Sequence, residues 1–135
     1  MTGDVTTDGQ PAVTTKISQL SFADTVSRLQ SLLGAKGMKI FAVIDQRAEA
    51  QGAGLDLRDT TLVMFGNPAA GTPVMAAAPL AALDLPLKVL IWADDGQVKV
   101  SYAAPAELAR RYSLGAVLTA RLAGIDALTD ALVTS

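Results

Sequence analysis

The chain has 135 residues, half of them apolar, 18% charged, with 11 basic against 13 acidic side chains and a net charge of −2. That is one domain's length, enough to bury a real core, and with no basic cluster beyond Arg110-Arg111 it lacks the basic stripe of a nucleic-acid surface. It has no histidine and no cysteine, which excludes serine–histidine triads, thiol nucleophiles, imidazole acid–base steps and Cys/His zinc sites.

In chain order, the small polar residues 1–11 read as a disordered lead-in, followed by a single α+β domain over residues 12–135. "VTTKIS", Val13 to Ser18, alternates and is β-branched, so it predicts a strand. In "SFADTVSRLQSLLGAKG" Ser21 is the expected N-cap, with Asp24 three residues on. Phe22, Val26, Leu29 and Leu33 line one face, Asp24 and Arg28 are spaced to pair, and Gly37 suits the left-handed C-terminal stop. "MKIFAVID" (Met38 to Asp45) predicts a second strand, Gln46 to Gly54 a short helix, and "TTLVMFG" (Thr60 to Gly66) a third strand, apolar on both faces.

A helix to about Ala78 and a proline-bounded connection through "LDLP" come next. "LKVLIWADDGQVKVSYA" predicts a hairpin turning at Asp95-Gly96. That register opposes Ala93 to Val98, Trp92 to Lys99 and Val89 to Tyr102. Val89, Ile91, Val98, Val100 and Tyr102 then face the core. Lys88, Leu90, Trp92, Lys99 and Ser101 form a mixed face. "PAELARRY" opens a helix with Pro105 at its first position, Gly115 breaks it, and Leu118, Leu122, Ile125 and Leu132 mark one face of a last helix. The order β-α-β-α-β-α-β-β-α-α predicts an α+β fold with one mixed sheet, its first three strands parallel by right-handed crossovers, and helices packed on it.

The longest apolar run, "VMAAAPLAAL" (Val74 to Leu83), is well short of the ~20 residues of a bilayer-spanning helix and is broken by Pro79. The N-terminal residues lack the basic and apolar regions of a secretory signal. A cytoplasmic protein with no membrane contact and no nucleic-acid partner is expected.

"MFGNPAAGTPVM", Met64 to Met75, carries Gly66 and Gly71 at the spacing of a phosphate-binding loop. Thr72 stands where such a loop has its lysine, and Pro73 where it has the Ser/Thr that meets Mg²⁺. Pro68 and Pro73 also lack the N–H groups that bind phosphate. The stretch reads instead as a strand-to-helix turn, with Gly66 allowing the turn, Asn67 as cap and Pro68 at the first helical position. If the strands are parallel, Asp45 and Asn67 share the C-terminal edge of the sheet, where open α/β sheets bind ligands. Asp94-Asp95-Gly96 is turn chemistry rather than a calcium site. Lys88 beside Asp84 reads as a solvated ion pair, and Tyr102 as a core ring with its hydroxyl at the edge.

"FAVID" (Phe41 to Asp45), "FGNPAAGTPVM" (Phe65 to Met75), "LDLPLKVLIW" (Leu83 to Trp92) and "DGQVKVSY" (Asp95 to Tyr102) together resemble the bacterial and archaeal family called Domain of Unknown Function 302, from about Lys16 to Leu114. The resemblance implies a small α+β domain that tends to form homodimers, and it supplies no activity. Family members usually carry histidine directly after the strand-end aspartate. Here that position is Gln46, so any metal or proton role of that histidine is lost.

The expectation is a homodimeric small-molecule-binding or sensing module, with Asp45, Gln46, Asn67 and Tyr102 as ligand-edge candidates and Leu90 and Trp92 as dimer-face candidates. The alternative is an assembly protein whose surface is its function. Third comes an enzyme using Asp45, Lys88, Tyr102 or a bound cation, since nothing here pairs a nucleophile with a base. No cofactor, metal site or catalytic residue is expected.

Overall fold

The computed structural model describes residues 12–134; the expected lead-in over residues 1–11 lies outside the described residues. Five strands form one sheet: β1 (Val13–Ser18), β2 (Lys39–Asp45), β3 (Thr60–Gly66), β4 (Leu87–Asp94) and β5 (Gln97–Ala103). Their order is β1-β5-β4-β3-β2. Every pairing is antiparallel. The α+β class holds, but the mixed sheet with parallel β1, β2 and β3 does not.

The reason lies in the connections. Helix α1 (Phe22–Ala35) joins β1 to β2. With every neighbour antiparallel, β1 and β2 run in the same direction, as a crossover helix would have it. They lie on opposite edges of the sheet with three strands between them. Helix α2 (Gln46–Gly52) has no buried residue, so it never packs on a sheet face as a crossover helix must. It is part of a wide loop that returns β3 against β2, pairing Asp45 with Thr61 and Lys39 with Gly66.

Local chemistry follows the sequence closely. Ser21 Oγ accepts from the Asp24 N–H at 3.1 Å and caps α1. Gly37 closes that helix with φ of 68°. The Asp24–Arg28 pair does not form; Arg28 donates to the Ala131 carbonyl at 3.0 Å instead. Asp95 and Gly96 both have positive φ, 51° and 85°, the twist a two-residue hairpin turn requires, and the register opposes Ala93 to Val98 and Trp92 to Lys99 as expected. The last helical stretch divides at Ala123 into α5 (Ala116–Leu122) and α6 (Gly124–Val133), where a single helix was expected.

Two apolar clusters result. Leu29 and Leu33 of α1 and Ile125, Leu128 and Leu132 of α6 pack on Val63, Phe65, Val89, Ile91, Val100 and Tyr102 of the sheet. A second cluster joins Val74 of α3 (Pro68–Ala77), Ala81 of a 3₁₀ helix (Pro79–Leu83), Leu108 of α4 (Pro105–Tyr112) and Leu122 of α5, packed against Leu87 and Ala103 at one end of the sheet. The helices leave the other sheet face open. There Ala42, Ile44, Leu62, Met64, Leu90 and Trp92 are all only half-buried, while Val63, Phe65, Val89 and Ile91 on the covered face are fully buried.

Candidate functional site

The main cavity lies at the sheet end where β3 runs into α3. It has a volume of about 250 Å³, just under the ~300–1,000 Å³ typical of drug-sized sites. Met38 and Phe41 form one wall. Gly66, Asn67, Pro68, Ala70, Gly71 and Met75 form the floor. Leu85, Pro86 and Leu87 close a third side, with Arg121 and Leu122 of α5 on the fourth. The peptide bond between Leu85 and Pro86 is cis.

Each wall has a local cause. The register of β2 on β3 slips between Ile40 and Ala42, leaving Phe41 as the extra residue of a bulge, a device that re-aims one side chain. The Phe41 ring lies over Gly66, where an added Cβ would meet its Cε2 at 3.7 Å. Lys39 Nζ stands 5.1 Å from the same ring's centroid. Gly66 has no positive φ, so the turn does not depend on glycine's conformational freedom, contrary to the expectation from sequence. Asn67 does cap α3: its Oδ1 accepts from the Ala69 N–H at 3.0 Å.

This capping decides the question of a phosphate loop. The N–H groups of Ala70 and Gly71 are held by the Asn67 carbonyl, both at 2.9 Å. Ala69 is held by the Asn67 side chain, and Pro68 has no N–H. The start of α3 therefore offers no free backbone donor to a phosphate. Its polar contribution is the Asn67 Nδ2 amide, whose oxygen is already committed.

The candidates from sequence are scattered by the antiparallel sheet. Asp45 caps α2, its Oδ1 accepting from the Ala48 N–H at 2.9 Å, and Gln46 begins that helix in full exposure. From Thr61, which opposes Asp45, six residues of β3 lead to Asn67, roughly 20 Å at strand rise. Asp45 and Asn67 are at opposite ends of the sheet, and no shared edge exists. Tyr102 is buried on the covered face, where its hydroxyl donates to Asp126 Oδ1 at 2.5 Å. Burial, reinforced by that bond, raises its pKa, the opposite of what a tyrosine acting as a base requires. Lys16 Nζ sits 5.3 Å from its ring centroid and is paired to Asp130 at 2.7 Å. Lys88 does not pair with Asp84; it donates to the Pro86 carbonyl at 3.2 Å, and Asp84 is taken by Arg111 and Tyr112.

Asn67 alone of the four ligand candidates lines the cavity. The sequence reading missed Met38, Phe41 and Arg121. Phe41 had a signal, a bulky aromatic side chain in the edge strand β2. Arg121 had none, because only the packing of α5 on α3 brings it there. Among the described residues no group of three or more acidic side chains is placed to hold a metal ion.

The family model described as Domain of unknown function DUF302 matches residues 13–132. The chain belongs to the DUF302 family. A crystal structure of an uncharacterized conserved DUF302 protein from Bacillus stearothermophilus superposes with a TM-score of 0.76 over 90% of this chain and 95% of that one, at 20% identity, a likeness of fold. This DUF302 chain is also 41% identical over 99 residues to a protein named Fluoride-specific ion channel FluC 1 from Brucella suis biovar 1 (strain 1330), covering 73% of the chain and 39% of that protein. A protein named Fluoride-specific ion channel FluC 2 from Brucella melitensis biotype 1 matches over the same length, with 37% of it covered. The DUF302 chain thus spans under two-fifths of the length of these relatives. No helix among its described residues is long and apolar enough to cross a membrane.

Proposed function

We propose that this DUF302 chain is a small-molecule-binding module that acts as a homodimer. The cavity between Phe41, α3, Pro86 and α5 carries the reading: it is concave, mostly apolar and sparingly polar, the usual composition of a ligand site. The channel relatives fit the same reading. Their likeness to this chain covers under two-fifths of their length and lacks any spanning helix among the residues described. A binding domain attached to a membrane protein accounts for it better than channel activity in this chain. Fluoride itself suits the cavity poorly, since a small, strongly hydrated anion needs several converging donors to replace its water.

The dimer reading rests on the open sheet face. Five strands at ~4.8 Å spacing and ~20 Å length give a face on the order of 400–500 Å², within the ~300–600 Å² of a typical monomer's largest apolar patch, which is often functional. Its polar groups are already satisfied within the face. Trp92 Nε1 donates to Ser101 Oγ at 2.9 Å, and Thr15 Oγ1 lies 2.8 Å from the same oxygen. Covering the face strands none of these.

Gly71→Leu tests the cavity. Gly71 lies in α3 without positive φ, and an added Cβ would meet only Met75 Cε, at 3.9 Å. The variant gains helix propensity, about 1 kcal/mol, while filling the cavity. Amide shifts on titration with indole, a neutral apolar probe, are expected to cluster at Met38, Phe41, Gly66 and Leu87 in the wild type and to vanish in Gly71→Leu with no loss of thermal stability. Shifts that are dispersed, or identical in both proteins, count against the site.

A further inference from the structure

Resting on that cavity, we infer that its ligand is a small amphipathic anion, an apolar body carrying one carboxylate, with the head held by Arg121 and the body between Phe41, Met75 and Leu87. Three observations carry this. The lining holds no acidic residue, and its one charged side chain is Arg121.

Arg121 also differs from every other arginine in the chain. Arg28 donates to a carbonyl, and Arg47, Arg58, Arg110 and Arg111 pair with Asp59, Asp94, Glu107 and Asp84. Among the described residues Arg121 has no ion-pair partner, although a planar guanidinium is the side chain best suited to hold a carboxylate by two hydrogen bonds.

The third observation is the polarity of Asn67. Its oxygen accepts from the Ala69 N–H, which leaves its Nδ2 as the group it can offer a ligand as donor. Arg121 and Asn67, the two polar side chains of the lining, can thus both donate to an anion. No anionic side chain lines the cavity, so an ammonium group would find no ion-pair partner there and would face the like charge of Arg121. A phosphomonoester is disfavoured as well, because the α3 N–H groups it would need are engaged. The volume of about 250 Å³ equals about eight waters at ~30 Å³ each, which limits the apolar body to a medium chain or a single ring.

Calorimetric titration with octanoate, 1-octanol and octylammonium tests this on the wild type, Arg121→Gln and Gly71→Leu. Arg121 is exposed, so its replacement leaves the core untouched. Octanoate is expected to bind the wild type at least tenfold more tightly than octanol, with octylammonium weakest. Arg121→Gln should erase the preference for octanoate while keeping octanol binding, and Gly71→Leu should bind none of them. Equal affinity for octanoate and octanol, or a preference that survives in Arg121→Gln, overturns the anionic class and leaves the cavity reading standing. If the wild type binds none of the three and indole produces no clustered shifts, the cavity reading falls and this inference with it.

Discussion

Asp84 shows how much one side chain's surroundings decide. Burial works against its charge, yet the Tyr112 hydroxyl, the Arg111 guanidinium and the nearby Lys88 charge together hold its pKa below the usual carboxylate value. A carboxylate lowered on folding stabilises the protein fully above its unfolded value, ~3.9, and loses that contribution as pH falls through the folded value. Asp84→Asn is therefore expected to be less stable than the wild type at pH 6, with the gap closing as pH falls below about 4. Urea unfolding midpoints across that range measure it, and a constant gap would contradict the assignment. Glu107, almost fully buried, is lowered in the same direction by the hydrogen bond from Arg110 and then by Arg111. The sequence shows Asp84 and Lys88 four residues apart and suggests a pair. It does not show that α4 delivers Arg111 and Tyr112 from 27 and 28 residues away.

At the scale of elements, α1 and α2 contrast. Both are capped by a side chain at their start, α1 by Ser21 and α2 by Asp45. Helix α1 carries an apolar stripe and buries Leu29 and Leu33 completely, whereas "QRAEAQG" has no stripe and buries nothing. That missing stripe was the readable warning that α2 is no crossover helix and that β2 and β3 are antiparallel. Leu33→Ala is expected to cost about 2–5 kcal/mol. Asp45→Ala should cost about 1 kcal/mol through its cap and leave cavity binding unchanged, since it sits at the far end of β2. Chemical denaturation together with the indole titration checks both; a loss of binding in Asp45→Ala would restore the ligand edge read from sequence.

For the whole molecule, the one-sided sheet matters most. Helices α1 and α6 cover one face and leave Leu62, Met64, Leu90 and Trp92 half-buried on the other. Native mass spectrometry is expected to find a dimer in the wild type and a monomer in the double variant Leu62→Glu, Trp92→Glu, because covering the face would desolvate the introduced carboxylates. The variant should keep the wild-type circular dichroism, both positions being outside the packed core. A wild-type monomer, or a dimer that survives the double variant, removes the open face as the interface. The same spectra report any retained ligand as added mass.

The sequence by itself determined what depends on neighbours along the chain. Strand and helix segments, the Asp95-Gly96 hairpin with its register, the Ser21, Asp45 and Asn67 caps and the apolar stripe of α1 all follow from turn preferences and side-chain periodicity within a few residues. Family membership was legible too, in the joined "FGNPAAGTPVM" and "LDLPL" segments. Only the tertiary structure decided which strands are neighbours, because a 14-residue connection between β2 and β3 can return either way until its helix finds or lacks a face to cover. That decision separated Asp45 and Gln46 from Asn67, and the packing of α6 gave the hydroxyl of the core-facing Tyr102 its partner, Asp126. It also assembled a cavity from a β2 bulge, the α3 start, the Pro86 turn and Arg121 of α5. These parts are up to 83 residues apart, Met38 to Arg121, and no local propensity couples residues at such a distance.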